Sequence, residues 1–206
     1  MHRLIPSLER GVARVEHFTL DERTAAFMAV ESHDPTIRPG TYARLFVRDE
    51  LVMSDTWMER ESNWPVVCLA HGRVLIGGLG LGMILPPLLA NQLVTHVTVV
   101  ELEADVIEVI QPAFAGQIAA GRLELVHDDI RTWNPPGRTR YRYDTIYFDI
   151  WPTISAANLP EMERLHRRFR PRLEHSPAAW LGSWQYERLC AARRAAAQAV
   201  RPAGPG

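Results

Sequence analysis

Lysine is absent from this chain: all 23 basic residues are arginine. No lysine is therefore available for Schiff-base chemistry on a carbonyl substrate. Cysteine is nearly absent. Cys68 and Cys190 stand far apart in sequence and make no metal-ligand pattern, which suits a reducing cytosol. Neither sign of charge dominates: the formal net charge is −1. The broad basic excess of a duplex-binding protein is missing, so a nucleic-acid partner is not expected. His127, His166 and His175 have no metal-ligand spacing and are expected on the surface or in packing, with no metal bound. Long apolar runs are missing too. Residues 75–94 come nearest to one, but glycines and Pro86-Pro87 interrupt them, so no membrane span is expected. The first residues do not read as a signal peptide, which makes the cytoplasm the expected location. Apolar residues make up 47% of the 206, enough for one full core with a small appendage.

What the chain has is one organising stretch, residues 73–101. A β-type run, Arg73-Val74-Leu75-Ile76, breaks into Gly77-Gly78-Leu79-Gly80-Leu81-Gly82. An apolar segment follows, then His96-Val97-Thr98-Val99-Val100 ending on Glu101. This is strand, glycine loop, helix, strand, acid: one crossover unit of a parallel sheet with a nucleoside-binding edge. Glycines let backbone approach a ligand closely, and a helix after them is expected to aim free N–H groups at it. The dinucleotide fingerprint fails in both frames, because Met83 and Leu79 fall where it needs glycine. GxGxG, from Gly78 to Gly82, fits.

Residues 21–30 read as a helix capped by Asp21, and residues 41–47 and 51–53 as a hairpin around Arg48-Asp49-Glu50. A helix is expected near 65–71. Beyond Glu101 come a helix at 104–110, a strand at 123–126 ending before Asp129, and a strand at 145–148 ending at Asp149. Asn158-Leu159-Pro160-Glu161 has capping-box spacing ahead of a helix. Residues 178–184 read as a fifth strand and 186–200 as a last helix. The expected fold is α/β: a doubly wound, mainly parallel Rossmann-like sheet at 61–206, preceded by an N-terminal helix and β-hairpin arm at 1–60. In such sheets ligands bind at the carboxyl ends of strands, here marked by the glycine loop, Glu101, Asp129 and Asp149.

With those residues in place, the sheet domain resembles the class I S-adenosylmethionine (SAM)-dependent methyltransferases. The resemblance implies that Gly78, Gly80 and Gly82 approach the amino-acid part of SAM. Glu101 would hold the ribose hydroxyls, and Asp129 with Ile130 the adenine. Ile76 departs from the acid that many of these enzymes carry before GxGxG. Spermidine synthases are similar in the doubled glycine, the N-terminal hairpin and the Asp ending the fourth strand, but Trp151 stands where they have a second Asp. Guanidinoacetate N-methyltransferases are similar at Val52-Met53-Ser54-Asp55-Thr56 and Asp149-Ile150-Trp151-Pro152, with Asp55 for their Glu. In that family two acids clamp a guanidinium. The whole pattern looks closest to uncharacterised methyltransferase-like proteins of phage and prophage genomes. Class I enzymes usually continue past the fifth strand to an antiparallel hairpin, which is not expected here, so the fifth strand is expected to be an edge needing a homodimer or cover from the arm.

The chemistry follows from the acids. Methyl transfer needs in-line positioning, and an amine acceptor must lose a proton. Asp149 is expected to orient and deprotonate a small-molecule acceptor, Asp55 to be a second acid selecting a cationic amine or guanidine, and Trp151 a wall over it. The rival readings are aminopropyl transfer of spermidine-synthase type and a non-catalytic SAM-fold protein. Asn134-Pro135-Pro136-Gly137 lacks the strand and aromatic of adenine N-methylating enzymes and is expected to be a loop. The arginines from Arg164 to Arg172 read as a solvated helix face.

Overall fold

Continuous burial along the second half of Gly72–Gly77 (β5) sets the architecture. Val74 and Ile76 enter one apolar cluster and Leu75 the other, as side chains of successive strand residues must. A strand buried on both faces needs helices on each side, the arrangement of a parallel α/β sheet. The computed structural model describes residues 1–137 and 142–199. Its parallel sheet adds Val94–Glu101 (β6), Leu123–His127 (β7), Thr145–Phe148 (β8) and Trp180–Ser183 (β9), in the order β7-β6-β5-β8-β9. This is the expected doubly wound, Rossmann-like fold. The strand order reverses between β5 and β8, where such sheets open their ligand crevice.

Leu85–Ala90 (α4) and Ala104–Ile110 (α5) pack on the face carrying Val74, Ile76, Val97 and Val99. Ala115–Ala119 (α6) leads into β7. Leu159–Phe169 (α7) and Tyr186–Ala199 (α8) cover the other face, with Met162, Leu165 and Phe169 of α7 buried against Ile146 and Phe148. The expected end of the last helix, Val200, lies outside the described residues.

The N-terminal region is larger than a hairpin. Leu8–Arg10 (β1), Ala13–Leu20 (β2), Gly40–Val47 (β3) and Glu50–Ser54 (β4) form a four-stranded antiparallel sheet. Glu22–Glu31 (α1) sits between β2 and β3, and the Asp21 carboxylate accepts from the Thr24 N–H at 2.7 Å, the cap read from sequence. The β3–β4 turn puts Arg48 and Asp49 at positive φ, the twist a tight hairpin requires. Ala13, Val15, Ala43 and Leu45 join the cluster that holds α4, α5 and one face of β5, so this sheet is packed onto the parallel one. Trp57–Ser62 (α2) and Trp64–Leu69 (α3) link β4 to β5, meeting at Asn63.

Two local expectations fail. α4 has six residues, and its second and third are Pro86 and Pro87, which carry no N–H. It therefore offers no row of free donors to a ligand; the donors are those of the loop before it. Asn158 does not cap α7: it has helical φ and ψ, and its amide donates to the Thr153 carbonyl at 2.7 Å. A 3-10 turn at Ala156–Asn158, opened by Ser155, takes the cap's place. Among the described residues β9 pairs with β8 alone, and the antiparallel sheet rests on α5 rather than extending β9. No described helix is long and apolar enough to cross a membrane.

Candidate functional site

Register builds the site. Gly77 of β5 is level with Val100 of β6 and Phe148 of β8. The next residue in each chain is therefore in one row as well: Gly78, Glu101 and Asp149. A cavity of about 600 Å³ opens there, within the range of small-molecule sites. Its wall includes Gly78, Gly80, Glu101, Asp129, Ile130, Asp149 and Trp151. Seven of the nine residues singled out from sequence thus converge.

The glycines do different jobs. Gly78 has φ +96°, and a Cβ there would lie 2.1 Å from the Asp149 carbonyl oxygen, so the loop crosses the end of β8 where no side chain fits. Gly80, at φ +51°, lies under Met53: a Cβ would fall 2.2 Å from its sulfur, and Leu81 donates its N–H to that sulfur at 3.1 Å. Gly82 is a correction. It is not on the cavity wall but packs among Phe114, Ile110 and Leu85, with φ +64°.

Glu101 is 9% exposed, and its position is fixed by backbone. Its Oε2 accepts from the Leu79 N–H at 2.7 Å and its Oε1 from the Glu103 N–H at 2.9 Å. Each oxygen keeps a further lone pair for a ligand hydroxyl. Asp129 accepts from the Arg131 N–H at 2.9 Å. Arg131 donates to Glu161 at 2.7 Å, and Glu161 accepts from the Trp151 indole at 2.7 Å. A polar chain therefore ties the Asp129 loop to the Trp151 wall. Ile130 and Trp133 are buried beneath, and Arg168 of α7 donates to the carbonyls of Ile130, Thr132 and Trp133. Arg168 thus departs from the solvated face expected of the α7 arginines. His166 is a packing residue whose Nε2 meets Ser183 Oγ at 2.8 Å, and burial pushes it down to about 4. Asn134-Pro135-Pro136-Gly137 is a loop.

Asp149 is the most perturbed acid. Burial, and then the nearby Glu59 carboxylate, push it up to about 7, against a hydrogen bond from Asn63 that favours the charged form. It is half-buried because it faces the cavity, while protein encloses the rest. Such a shift in a cleft marks a candidate acid–base group.

Asp55, the second acid read from sequence, is elsewhere. It is fully buried and absent from the cavity wall. Its Oδ1 accepts from the Ala43 N–H at 2.6 Å, and its Oδ2 takes the Met1 amine and Arg60, the latter at 2.9 Å. Burial works against its charge, but these partners hold its carboxyl below the usual range. It is a fastener between β3, β4 and α2. The acid that does face the cavity is Glu59, one turn along, in α2. Burial, then Asp55, raise it. Sequence reasoning missed Glu59 because Asp55 matched a motif, although Glu59 and Asn63 stand one helical turn apart and so share a face.

No protein-family model matches the chain, and no curated protein matches it. Similar folds occur among solved structures. The methyltransferase CcbJ from Streptomyces caelestis is 20% identical, over 59% of this chain and 46% of that one, with a TM-score of 0.46. The glycopeptide N-methyltransferase MtfA, complexed with SAM, is 21% identical over 59% and 47%, with a TM-score of 0.43. Spermidine synthase from Thermotoga maritima is 16% identical over 81% and 52%, with a TM-score of 0.46. The chain matches about half the length of each of them. At these identities the likeness is one of fold.

Proposed function

We propose that this chain is a SAM-dependent methyltransferase acting on a small acceptor that bears an amine or guanidine. The reading rests on one observation: Asp149 shares a cavity with the glycine loop, Glu101 and Asp129, and a second acid, Glu59, stands beside it. The wall fits SAM on its own terms. Gly78 lets the loop backbone cross the end of β8 on the cavity wall, Glu101 keeps lone pairs for ribose hydroxyls, and Ile130 offers an apolar surface to adenine. When bound, SAM supplies an electrophilic methyl group on a sulfonium.

The chain's residues do the rest. Asp149, ionised, accepts an N–H proton from the acceptor, which frees the nitrogen lone pair for attack. Among the described residues Arg131 is the one base on the cavity wall, and it is tied to Glu161 and Asp129. Acids therefore dominate the field, which favours cationic acceptors and repels anionic ones. Trp151, fixed through Glu161, would be a wall against which a cation can stack. The chain would act in the cytoplasm, and a homodimer would pair the free edge of β9.

Aminopropyl transfer is the second reading, favoured by the pair of acids, which would equally suit a diamine. One assay separates the two. Purified protein, a panel of small amines and guanidines, and either SAM or decarboxylated SAM are incubated, and the nucleoside product is identified. S-adenosylhomocysteine formed from SAM in the presence of an amine is the expected result. Methylthioadenosine formed from decarboxylated SAM would move the assignment to aminopropyl transfer.

A further inference from the structure

The corner between α2 and α3 carries a hydrogen-bond network that the cofactor half of the cavity does not need. Asn63 lies at this corner, 3% exposed. Its Oδ1 accepts from the Tyr147 hydroxyl at 2.8 Å and its Nδ2 donates to the Glu59 carbonyl at 3.2 Å, while the amide, on the same cavity wall as Asp149, favours the charged form of that carboxylate. Each partner can face the amide in only one sense. A backbone carbonyl and an ionised carboxylate only accept, so they fix the NH₂ end. The Tyr147 phenol is held protonated by burial and by Asp149, so it donates and fixes the oxygen end. Tyr147 is also stacked on Trp180, with ring centroids 5.9 Å apart, which removes freedom from the hydroxyl itself.

The same corner aims Glu59. Its Oε1 accepts from both the N–H and the hydroxyl of Ser54, each at 2.8 Å. Those two bonds leave Oε2 without a hydrogen bond among the described residues. Ser62 Oγ donates to the Glu59 carbonyl at 2.9 Å and accepts from the Trp184 indole at 2.9 Å, so the helix is pinned at its far end to the segment after β9. Glu59, held by Ser54, and Asp149, beside Asn63, thus face one cavity against their mutual repulsion. That arrangement has no packing purpose, since two like charges facing one half-buried cleft disfavour each other's ionised form and so destabilise the fold.

We propose that the α2–α3 corner is the acceptor-recognition element, with Asn63 a positioning residue for Asp149 and Glu59 the second acceptor-binding acid. Its ligand is a cation presenting at least two N–H donors, one to each carboxylate. When Asp149 accepts a proton from the acceptor nitrogen, Glu59 stays charged and holds the remaining N–H. The groups bearing on Asp149 are Glu59 and Asn63 from the corner, Asp149 in turn acts on the Tyr147 phenol, and Arg131, the one base on the cavity wall among the described residues, is engaged with Glu161 and Asp129.

The name acceptor rests on the methyl-transfer reading, but the network can be tested without cofactor and without turnover. Side-chain carboxyl carbons are labelled with ¹³C and titrated with pH in the wild type and in Asn63→Ala, Tyr147→Phe and Glu59→Gln. Asn63→Ala is expected to move the Asp149 midpoint up by about 0.5–1 unit, the worth of one net hydrogen bond. Tyr147→Phe should move it the same way by less, because the amide remains but can turn. Glu59→Gln should move it down, and should also abolish the amine-induced shift of the Asp149 signal when 1,3-diaminopropane is added. Tyr147→Phe keeps the test alive if Asn63→Ala does not fold. A midpoint that stays put in the folded Asn63 or Tyr147 variant overturns the positioning role. An unchanged diaminopropane response in Glu59→Gln overturns the second-acid role. Either failure leaves methyl transfer itself standing or falling on its own assay.

Discussion

Asp149→Asn is expected to lower methyl transfer by about 10²–10⁴-fold, the usual worth of a positioned general base, with cofactor affinity unchanged. The amide keeps the shape of the carboxylate and its place beside Gly78, but it cannot take a proton. Wild-type activity should rise with pH through the value near 7 to which burial and Glu59 push Asp149, since the ionised form is the base. The stability effect runs the other way. Asp149 has a folded value raised above the unfolded one, so its contribution is fully present below the unfolded value and is lost as pH rises through about 7. Asp149→Asn removes that penalty, so at pH 8 the variant should melt no lower than wild type, and a variant that is inactive yet no less stable marks a functional acid rather than a structural one. Wild-type turnover in Asp149→Asn would remove Asp149 from the chemistry.

Gly78→Ala should be the most damaging single-methyl change in the loop. A Cβ there meets the backbone oxygen of Asp149 at 2.1 Å, and φ is +96°. Left-handed backbone costs an alanine about 1–2 kcal/mol, and forcing a methyl into filled space about 1–3 more. Backbone cannot yield as a side chain does, so relief must move Asp149 or the loop. The expected outcome is a loss of about 2–5 kcal/mol of stability, with S-adenosylhomocysteine binding weakened beyond 100-fold in whatever remains folded. Gly82→Ala is the control. Its Cβ would meet the side chains of Phe114, Ile110 and Leu85 at 3.1–3.3 Å, away from the cavity. It should carry the left-handed strain, about 1–2 kcal/mol, with a further packing cost as those side chains give way, and keep its affinity. Equal affinity losses in the two variants would contradict the division of labour within the loop.

The parallel sheet was legible because its strands follow short-range rules. β5 and β8 fall at residues 72–77 and 145–148, where β-branched and aromatic runs end in glycine or acid. Residues that end strands were legible as site residues for the same reason: parallel register delivers them to one edge whatever the helices do. What escaped lies where tertiary packing decides. β1 and β2 were missed, although Ala13 and Val15 alternate with Arg14 and Glu16 in the pattern of a half-buried strand. Asp55 and Glu59 could not be ranked from sequence, because which of two acids four residues apart reaches a cavity depends on where α2 starts. It starts after Asp55, so β4's end buries Asp55 against Ala43, and α2 turns Glu59 to the cavity. Gly82 matched a motif by spacing, yet its freedom serves a turn packed against α5 rather than a ligand.

The central claim, that the edge formed by Gly78, Glu101 and Asp129 holds SAM, is tested most directly by calorimetric titration with S-adenosylhomocysteine. The predicted result is one-site binding to the wild type, lost in Glu101→Ala while that variant keeps its circular dichroism spectrum. A folded wild-type protein with no binding heat up to about 1 mM ligand, a bound corresponding to roughly −4 kcal/mol, would contradict it.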